Sequence, residues 1–450
     1  MPSRLRKWAQ PHEEKECAMN GGGEMNDKGQ NTPVLVIGAG IAGIEASLLL
    51  ANSGRKVYLV EKTSYTGGNV IKFEEVFPNM DCATCMIAPK QQELLANENI
   101  ELLTLSEVEA VQGSVGDFSV KVRKKASYVD SENCIGCDAC FDPCPVEVDN
   151  EFEERLSKRK AIYIPCAGAL PNVPAIDTEN CLRFKGQECQ ACQEACIFEA
   201  IDYTQQDEEL ELKVGAIIVA TGFKSFDPSK ITRYGYKKLD NVYSAMEVER
   251  ICASNGPTQG QILTKSGEPP KSVAIIHCVG REEKGYCSSV CCMASLKLSH
   301  FFKHKLPEVK ITQFYSELCI PGKAYQKFYE EVRESGVDFI RATVTEVSQS
   351  GKELAIKYKT EDGKENTLNA DMVILNPALE PGADSSKLAE TLGIPQSEDG
   401  FFSEKAPDLT PVATAQEGIF IAGCAQGPKD VAETVAEAEA AAGRILALSR

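Results

Sequence analysis

The sequence predicts an α/β protein of two-dinucleotide-binding architecture with a cysteine-rich block inserted into it. Three observations predict this. An apolar run, Val34-Leu35-Val36-Ile37, leads into Gly38-Ala39-Gly40-Ile41-Ala42-Gly43, a helical stretch over 44–51 and a second run, Lys56-Val57-Tyr58-Leu59-Val60; this is an intact βαβ unit. Another run, Ser272-Val273-Ala274-Ile275-Ile276-His277, precedes a helical stretch over 293–304 and a further run over 309–315, but cysteines stand where the glycines of a phosphate loop would be. Between the two units lie eight cysteines at ferredoxin-like spacing.

Taken in chain order, residues 1–32 mix charges with Gly21-Gly22-Gly23 and are expected to form a mobile tail. The first unit is expected over 33–125, the insert over 126–214, and a return with a Gly, Pro, Ser and Thr-rich linker over 215–271. The second unit is expected over 272–364 and the closing part of the first over 365–450. The returns are marked by Ala216-Ile217-Ile218-Val219-Ala220-Thr221-Gly222 and Gly418-Ile419-Phe420-Ile421-Ala422-Gly423, two buried strands that each end in a turn. Dense Ala and Glu over 430–448 predicts a final helix.

Bulk composition narrows the function. With 450 residues, 43% of them hydrophobic, the chain can bury a core of two or three domains. Net charge is −18, from 66 acidic against 48 basic residues, which argues against nucleic acid because neutralising phosphates needs clustered Lys and Arg. No apolar run reaches the roughly 18 residues needed to span a bilayer, and residues 1–31 lack the apolar core of a signal peptide, so a cytoplasmic location is expected. In such a reducing compartment the nineteen cysteines read as metal ligands or redox groups. Only four histidines occur, which leaves little room for imidazole chemistry.

The glycine turn is more than a lone triplet. It follows a strand, opens a helix, and has Glu61 eighteen residues beyond Gly43. Gly38, Gly40 and Gly43 let the backbone approach a pyrophosphate at the helix N-terminus, and Glu61, with Lys62 beside it, ends the second strand where a ribose would be held. The bland alternative is a glycine turn in an ordinary α/β domain. Gly67-Gly68-Asn69, the Thr221-Gly222 turn and the strand end at Gly423 resemble two-dinucleotide-binding flavoproteins, so FAD is expected rather than NAD. In that resemblance the final helix, begun here by Lys429 and Asp430, points its positive end at the flavin. Cys424 stands where many such proteins carry an Asp.

Within the insert, Cys134-x2-Cys137-x2-Cys140-x3-Cys144-Pro145 has ferredoxin spacing, and Cys181-x7-Cys189-x2-Cys192-x3-Cys196 repeats it with a wider first gap. Crossing of the fourth ligand assigns Cys134, Cys137, Cys140 and Cys196 to one [4Fe-4S] cluster. Cys181, Cys189, Cys192 and Cys144 fall to the other. Zinc is the alternative, since four thiolates also close a tetrahedral site. Cys166 lies outside both sets.

The third group, Cys278-x8-Cys287-x3-Cys291-Cys292, has no ferredoxin spacing. Its context, Gly285-Tyr286-Cys287-Ser288-Ser289-Val290-Cys291-Cys292-Met293-Ala294, resembles the A-subunit family of heterodisulfide reductases. Asp81-Cys82-Ala83-Thr84-Cys85, Gly322-Lys323 and Gly423-Cys424-Ala425-Gln426-Gly427-Pro428-Lys429-Asp430 carry the same resemblance, from Pro33 onward. It implies a thioredoxin-reductase-like fold, FAD, three [4Fe-4S] clusters counting the third group, and electron exchange among protein partners, with flavin-based bifurcation in several complexes. Implied partners are heterodisulfide reductase B- or C-like subunits and hydrogenase- or ferredoxin-linked proteins, in a hetero-oligomer for which a dimeric form is one option. The chain is shorter than longer relatives, whose terminal modules are expected to be absent, and Cys319 departs from the pattern before Gly322-Lys323.

Four bulky thiolates cannot supply a glycine loop, so direct NAD(P)H binding in the second unit is not expected. Cys82 and Cys85 read either as a redox dithiol near the flavin or as packing residues; with Lys429 they are candidate tuning groups. No nucleophile or acid–base set is expected to be catalytic, because the flavin is the redox centre. Two functions follow: a bifurcating oxidoreductase subunit, or an electron-relay scaffold such as a component of a quinone-interacting complex, with an NAD(P)H-dependent flavin reductase a weaker third.

Overall fold

The computed structural model describes residues 32–448. The expected tail lies outside the described residues except for Thr32. Strands Ile419–Ile421, Ala216–Val219, Val34–Ile37, Val57–Val60 and Ile100–Leu103 form one parallel sheet in that order. The chain therefore leaves this sheet twice and returns to its centre and its edge. The strands are short and apolar except for Glu101 on the edge strand, and the central ones are buried on both faces, as parallel strands covered on both sides must be.

Helix Ile41–Asn52 packs on one face of the sheet beside helices Ala83–Ala96 and Val431–Leu448. Ala438, Ala441 and Ala442 of the last are fully buried in that core, small side chains that allow close approach. The other face is covered by an antiparallel sheet of Glu208–Val214, Asp117–Lys124 and Ser106–Ser114, whose alternate Phe118, Val120 and Val122 point inward.

The second sheet has seven strands, ordered Val242–Ser244, Met372–Pro377, Ser272–Val279, Lys310–Tyr315, Val337–Ser350, Glu353–Thr360 and Glu365–Ala370. The first five run parallel and the last two continue as an antiparallel meander. This sheet recruits strands from outside the 272–364 block. By chain order Val242–Ser244 falls in the return and Met372–Pro377 in the closing segment. Both are buried throughout, and Met372–Pro377 is held between two parallel neighbours. Helices Ala245–Cys252, Cys291–Lys305 and Tyr325–Glu334 cover one face.

Of the expected insert 126–214, Glu208–Val214 belongs to the antiparallel sheet of the first unit, and across 126–207 regular structure is sparse: two short hairpins, Glu147–Asp149 with Lys158–Lys160 and Ile162–Tyr163 with Ala175–Ile176, and one helix, Ala191–Ala195. The small core consists of Cys140, Cys144, Cys181 and Cys192 with Val129, Ile162, Ile176 and Ile201. Thiols replace much of the apolar side-chain volume a block of this size would otherwise need. The block is tied to the second unit by Arg250, fully buried, whose guanidinium donates to Glu153 at 2.8 and 3.0 Å and to the Lys72 carbonyl at 2.9 Å.

Candidate functional site

The first glycine turn opens a cavity of about 360 Å³, within the range of cofactor sites. Helix Ile41–Asn52 starts at Gly40 with no side-chain cap, so its first N–H groups are left for a ligand. Gly40, Ile41 and Ala42 line the cavity with Gly38, Gly68, Asn69, Thr221 and Gly222. Gly40 and Gly43 are required for different reasons. A Cβ on Gly43 would sit 1.8 Å from the Gly38 carbonyl oxygen, so that position keeps helix and turn in contact. A Cβ on Gly40 would meet only the Gly68 Cα, at 3.9 Å, and would point into space a ligand must use. Thr221 Oγ1 borders the cavity, buried and without a hydrogen-bond partner. The glycine cradle, the uncapped helix and this unpartnered hydroxyl fit a dinucleotide.

Glu61 lines this cavity and also braces the turn that forms it. Its Oε2 accepts from the Ala39 N–H at 2.7 Å and its Oε1 from the Thr63 N–H at 2.8 Å, so it clamps the turn to the strand end. Burial pushes its carboxyl above the usual range, and the Thr63 and Ala39 hydrogen bonds offset part of that. Glu61, Gly38 and Thr221 are shared with a second cavity of about 170 Å³, where Lys62 sits paired with Asp384. Gly67 and Gly43 line neither cavity: Gly67 donates to the Ala39 carbonyl at 2.7 Å, bracing the turn from behind.

At the other end, Cys424, Lys429 and Asp430 line the large cavity, whereas Gly423 packs against Thr434 behind it. The Asp430 carboxylate accepts from the Glu433 N–H at 2.8 Å, capping the final helix, and also receives the Tyr325 hydroxyl. The helix's positive end is thus partly satisfied by its own cap. Lys429 Nζ donates to the Gly423 carbonyl at 3.1 Å and pairs with Glu437 at 3.0 Å. Burial pushes the Cys424 thiol up, and its Sγ donates to the Lys429 carbonyl at 3.4 Å.

Lys297 is a site residue that the sequence does not announce. It lines the cavity, 4% exposed, pairs with Glu249 at 2.6 Å, donates to the Glu75 carbonyl at 2.9 Å and lies 4.7 Å from the Phe73 ring centroid. Burial raises the Glu249 carboxyl and Lys297 offsets it. The only local signal is a lysine between two leucines that are both buried, Leu296 and Leu298.

The thiols gather in three places. Cys144, Cys181, Cys189 and Cys192 line one small cavity together. Cys134 lies within Coulombic range of Cys196 and Cys137, and Cys140 of Cys134 and Cys196 as well as Cys192. Among the described residues no three His, Cys, Asp or Glu side chains are drawn together tightly enough for one metal ion. Burial pushes the Cys140 thiol up to about 12, a cost that coordination removes.

In the third group, Cys278 lies at an irregularity of its strand with φ 57°, a left-handed position that turns its side chain out of the ladder. Cys291 and Cys292 begin helix Cys291–Lys305. A hydrogen bond from the Cys291 thiol holds the Cys292 thiol well below its ordinary value, with His277 adding to the effect. Cys291 also lines the large cavity, beside Val290 and Ala294. The start of this helix is therefore a wall shared by the glycine-turn cavity and the third thiol group.

Cys82 and Cys85, read either as a redox dithiol or as packing residues, are joined as a disulfide and are not among the residues lining the large cavity. The reason is local: Cys82 caps helix Ala83–Ala96, its Sγ accepting from the Cys85 N–H at 3.2 Å, which turns the pair back on the helix start. No helix among the described residues is long and apolar enough to cross a membrane.

Known proteins similar to this chain agree with that geometry. A family model described as FAD dependent oxidoreductase matches residues 33–144, and one described as Pyridine nucleotide-disulphide oxidoreductase matches residues 171–442. The A-subunit of the H(2):CoB-CoM heterodisulfide,ferredoxin reductase of Methanothermobacter marburgensis is 42% identical over 419 residues, 91% of this chain and 63% of that protein. The iron-sulfur A-subunit 1 of the CoB-CoM heterodisulfide reductase of Methanopyrus kandleri is 44% identical, with 91% and 63% covered. The A-subunit of the H(2)/formate:CoB-CoM heterodisulfide,ferredoxin reductase of Methanococcus maripaludis is 41% identical, with 96% and 68% covered. The chain thus spans less than two thirds of the length of the first two. Among solved structures, thioredoxin reductases of T. acidophilum and Lactococcus lactis align with TM-scores of 0.52 and 0.51 at 15% and 14% identity, each covering 93% of this chain and 99% of theirs. At that identity the likeness concerns the fold.

Proposed function

The chain belongs to the A-subunit family of heterodisulfide reductases, and from that premise we propose that it is the FAD- and [4Fe-4S]-bearing electron-transfer subunit of a heterodisulfide-reductase-like complex, dividing electron pairs between protein partners. One observation carries the reading: Cys291, at the head of helix Cys291–Lys305, forms the wall of the same cavity as Gly40 and Thr221. In the second unit, thiols occupy the strand-to-helix turn where a glycine loop would hold a nicotinamide dinucleotide.

The residues divide the work. Gly40 and the first N–H groups of helix Ile41–Asn52 would hold the pyrophosphate, Thr221 Oγ1 would donate to the cofactor, and Glu61 keeps the turn closed. Lys297 and Lys429 bring positive charge to the cavity, each already matched by a buried or half-buried glutamate. A bound flavin exchanges electrons in pairs or singly, which is the chemistry a splitting site needs. Cys278, Cys287, Cys291 and Cys292 would hold one cluster against the cavity. The insert would hold two more, one by Cys134, Cys137, Cys140 and Cys196 and one by Cys144, Cys181, Cys189 and Cys192. Heterodisulfide reductase B- or C-like subunits and ferredoxin- or hydrogenase-linked proteins are the proposed partners, in the cytoplasm.

Anaerobic reductive titration followed by absorbance and electron paramagnetic resonance tests this. The flavin should pass from oxidised to fully reduced with no stable one-electron form. Accumulation of that form would favour the relay reading, and rapid bleaching by NADH without partners would refute the loss of the nicotinamide site.

A further inference from the structure

Another cavity, of about 570 Å³, lies between residues 151–156 of the insert and the edge strand Val242–Ser244 of the seven-stranded sheet. It shares no lining residue with the glycine-turn cavity, and its volume is that of a site for a small organic molecule. Four cations line it: Arg155 from the insert, Lys237 and Lys238 from the segment before the edge strand, and Lys265 from the linker. The carboxylates around them are largely committed elsewhere. Glu151 pairs with Arg159 at 2.8 Å and Glu154 with Lys72 at 2.7 Å. Glu247 accepts from the Ser244 N–H at 2.6 Å and from the Tyr236 hydroxyl. Among the described residues none of the four cations forms an ion pair. Arg155 lies within Coulombic range of Asp149, and Lys237 of Asp227, but Asp149 is already paired with Lys158 and Asp227 accepts from the Ser229 N–H. That leaves Asp240 as the lining carboxylate that opposes four cations, in a chain whose net charge is −18.

The backbone here is held in an unusual form. Glu154, Arg155, Lys237 and Asn241 have φ of 51°, 66°, 61° and 64°, so four of the twelve non-glycine residues with left-handed backbone among the described residues line this one cavity. Such conformations persist only where the surroundings enforce them, and they gather at ligand sites. The Arg155 N–H donates to the Asn150 carbonyl at 2.8 Å, and Asn150, itself buried, accepts from the Phe152 N–H at 3.1 Å. Asn241 Oδ1 accepts from the Lys265 N–H at 2.7 Å, which fixes the linker at the cavity. Leu156, Leu239 and Tyr243 supply apolar wall. We propose that this cavity binds a phosphorylated organic anion of mononucleotide size, its phosphates held by Arg155, Lys237, Lys238 and Lys265 and its organic part set against Leu156, Leu239 and Tyr243. Lysine meets phosphate as a point charge and arginine as a two-pronged donor. Because Arg155 belongs to the insert and the lysines flank the edge strand of the second sheet, the bound anion bridges the two.

The test uses the full chain, purified anaerobically with flavin and clusters in place so that the glycine turn is occupied. The probe is ADP, with inorganic pyrophosphate and adenosine as its two halves. Calorimetric titration should show one ADP bound per chain, weakening as salt is raised, and both halves should bind less tightly than ADP. Arg155→Gln, and Lys237→Gln together with Lys238→Gln, should each weaken ADP binding by about tenfold or more, the loss of a charge-assisted contact. Lys213→Gln, outside the cavity, should not change it. The substituted side chains are exposed, so the variants should keep the parent's flavin and iron content. In the unmodified protein ADP should slow hydrogen exchange in 151–156 and 236–241 together. Pyrophosphate bound as tightly as ADP overturns the organic part of the assignment. No saturable binding of either, binding that releases flavin, or parent-like affinity in the cation variants overturns the site.

Discussion

Replacing Gly40 by Ala should separate folding from cofactor binding, because the protein itself makes no demand for glycine there. Gly40 has φ −75° and ψ −173°, extended backbone open to any residue, and its added Cβ would meet nothing nearer than 3.9 Å. The flavin-free variant should therefore be as stable as the parent or slightly more so, by about 0.4–1 kcal/mol from a less flexible unfolded chain. For the dinucleotide the methyl occupies space needed for close approach. Overpacking by one methyl costs about 1–3 kcal/mol, which weakens FAD binding by about 5- to 150-fold. Gly43→Ala should do the opposite. Its Cβ would lie 1.8 Å from the Gly38 carbonyl oxygen, so helix and turn must separate whether or not FAD is present. A loss of about 3 kcal/mol or more of stability is expected. Thermal unfolding of the flavin-free proteins and fluorescence titration with FAD measure both quantities. Parent-like FAD affinity in Gly40→Ala, or parent-like stability in Gly43→Ala, would refute the division of roles.

Other expectations bear on the surroundings of the site. Arg250→Met leaves Glu153 buried without its partner and should cost about 3–5 kcal/mol in urea unfolding; adding Glu153→Leu should recover most of the loss, and no recovery would mean that the other contacts of Arg250 dominate, to the Lys72 carbonyl and, at 3.1 Å, to the Asn255 Oδ1. Lys297→Met removes a cation from the cavity wall. Each 1.4 kcal/mol of attraction lost for the reduced flavin should lower its two-electron potential by about 30 mV, read by spectroelectrochemistry, and an unchanged potential would show that Glu249 already cancels the charge. Stripping iron with a chelator should raise hydrogen exchange throughout 126–207, where thiols make up much of the core, while the five-stranded sheet stays protected. Cys82→Ser with Cys85→Ser should leave flavin content and potential unchanged, since the pair lies outside the cavity lining.

The fold class was legible because its signals are local. Val34–Ile37 followed by the glycine turn and a helix specifies one βαβ unit within some thirty residues, and Ala216–Val219 and Ile419–Ile421 each announce a buried strand by an unbroken apolar run. What such runs do not carry is membership. Val242–Ser244 and Met372–Pro377 are short apolar strands like the others, yet they join the second sheet, because their partners, Ser272–Val279 among them, lie far off in sequence. Chain order alone suggests a linker and a return to the first sheet; only pairing decides.

The site shows the same division at finer grain. Cysteine spacing within a loop is a local signal, so the ferredoxin-like sets are visible from Cys134 and Cys181 onward. Lys297 is not visible as a site residue, because it is defined by what is brought to it from elsewhere: Glu249 on another helix and the Glu75 carbonyl more than two hundred residues away. Cys82 and Cys85 fail in the opposite direction. A Cys-x-x-Cys spacing suggests redox chemistry near the flavin, but the spacing equally suits a helix cap, and the helix beginning at Ala83 settles where the pair can face. A motif read from sequence thus fixes what a residue can do; which cavity it does it in depends on the sheet that carries it.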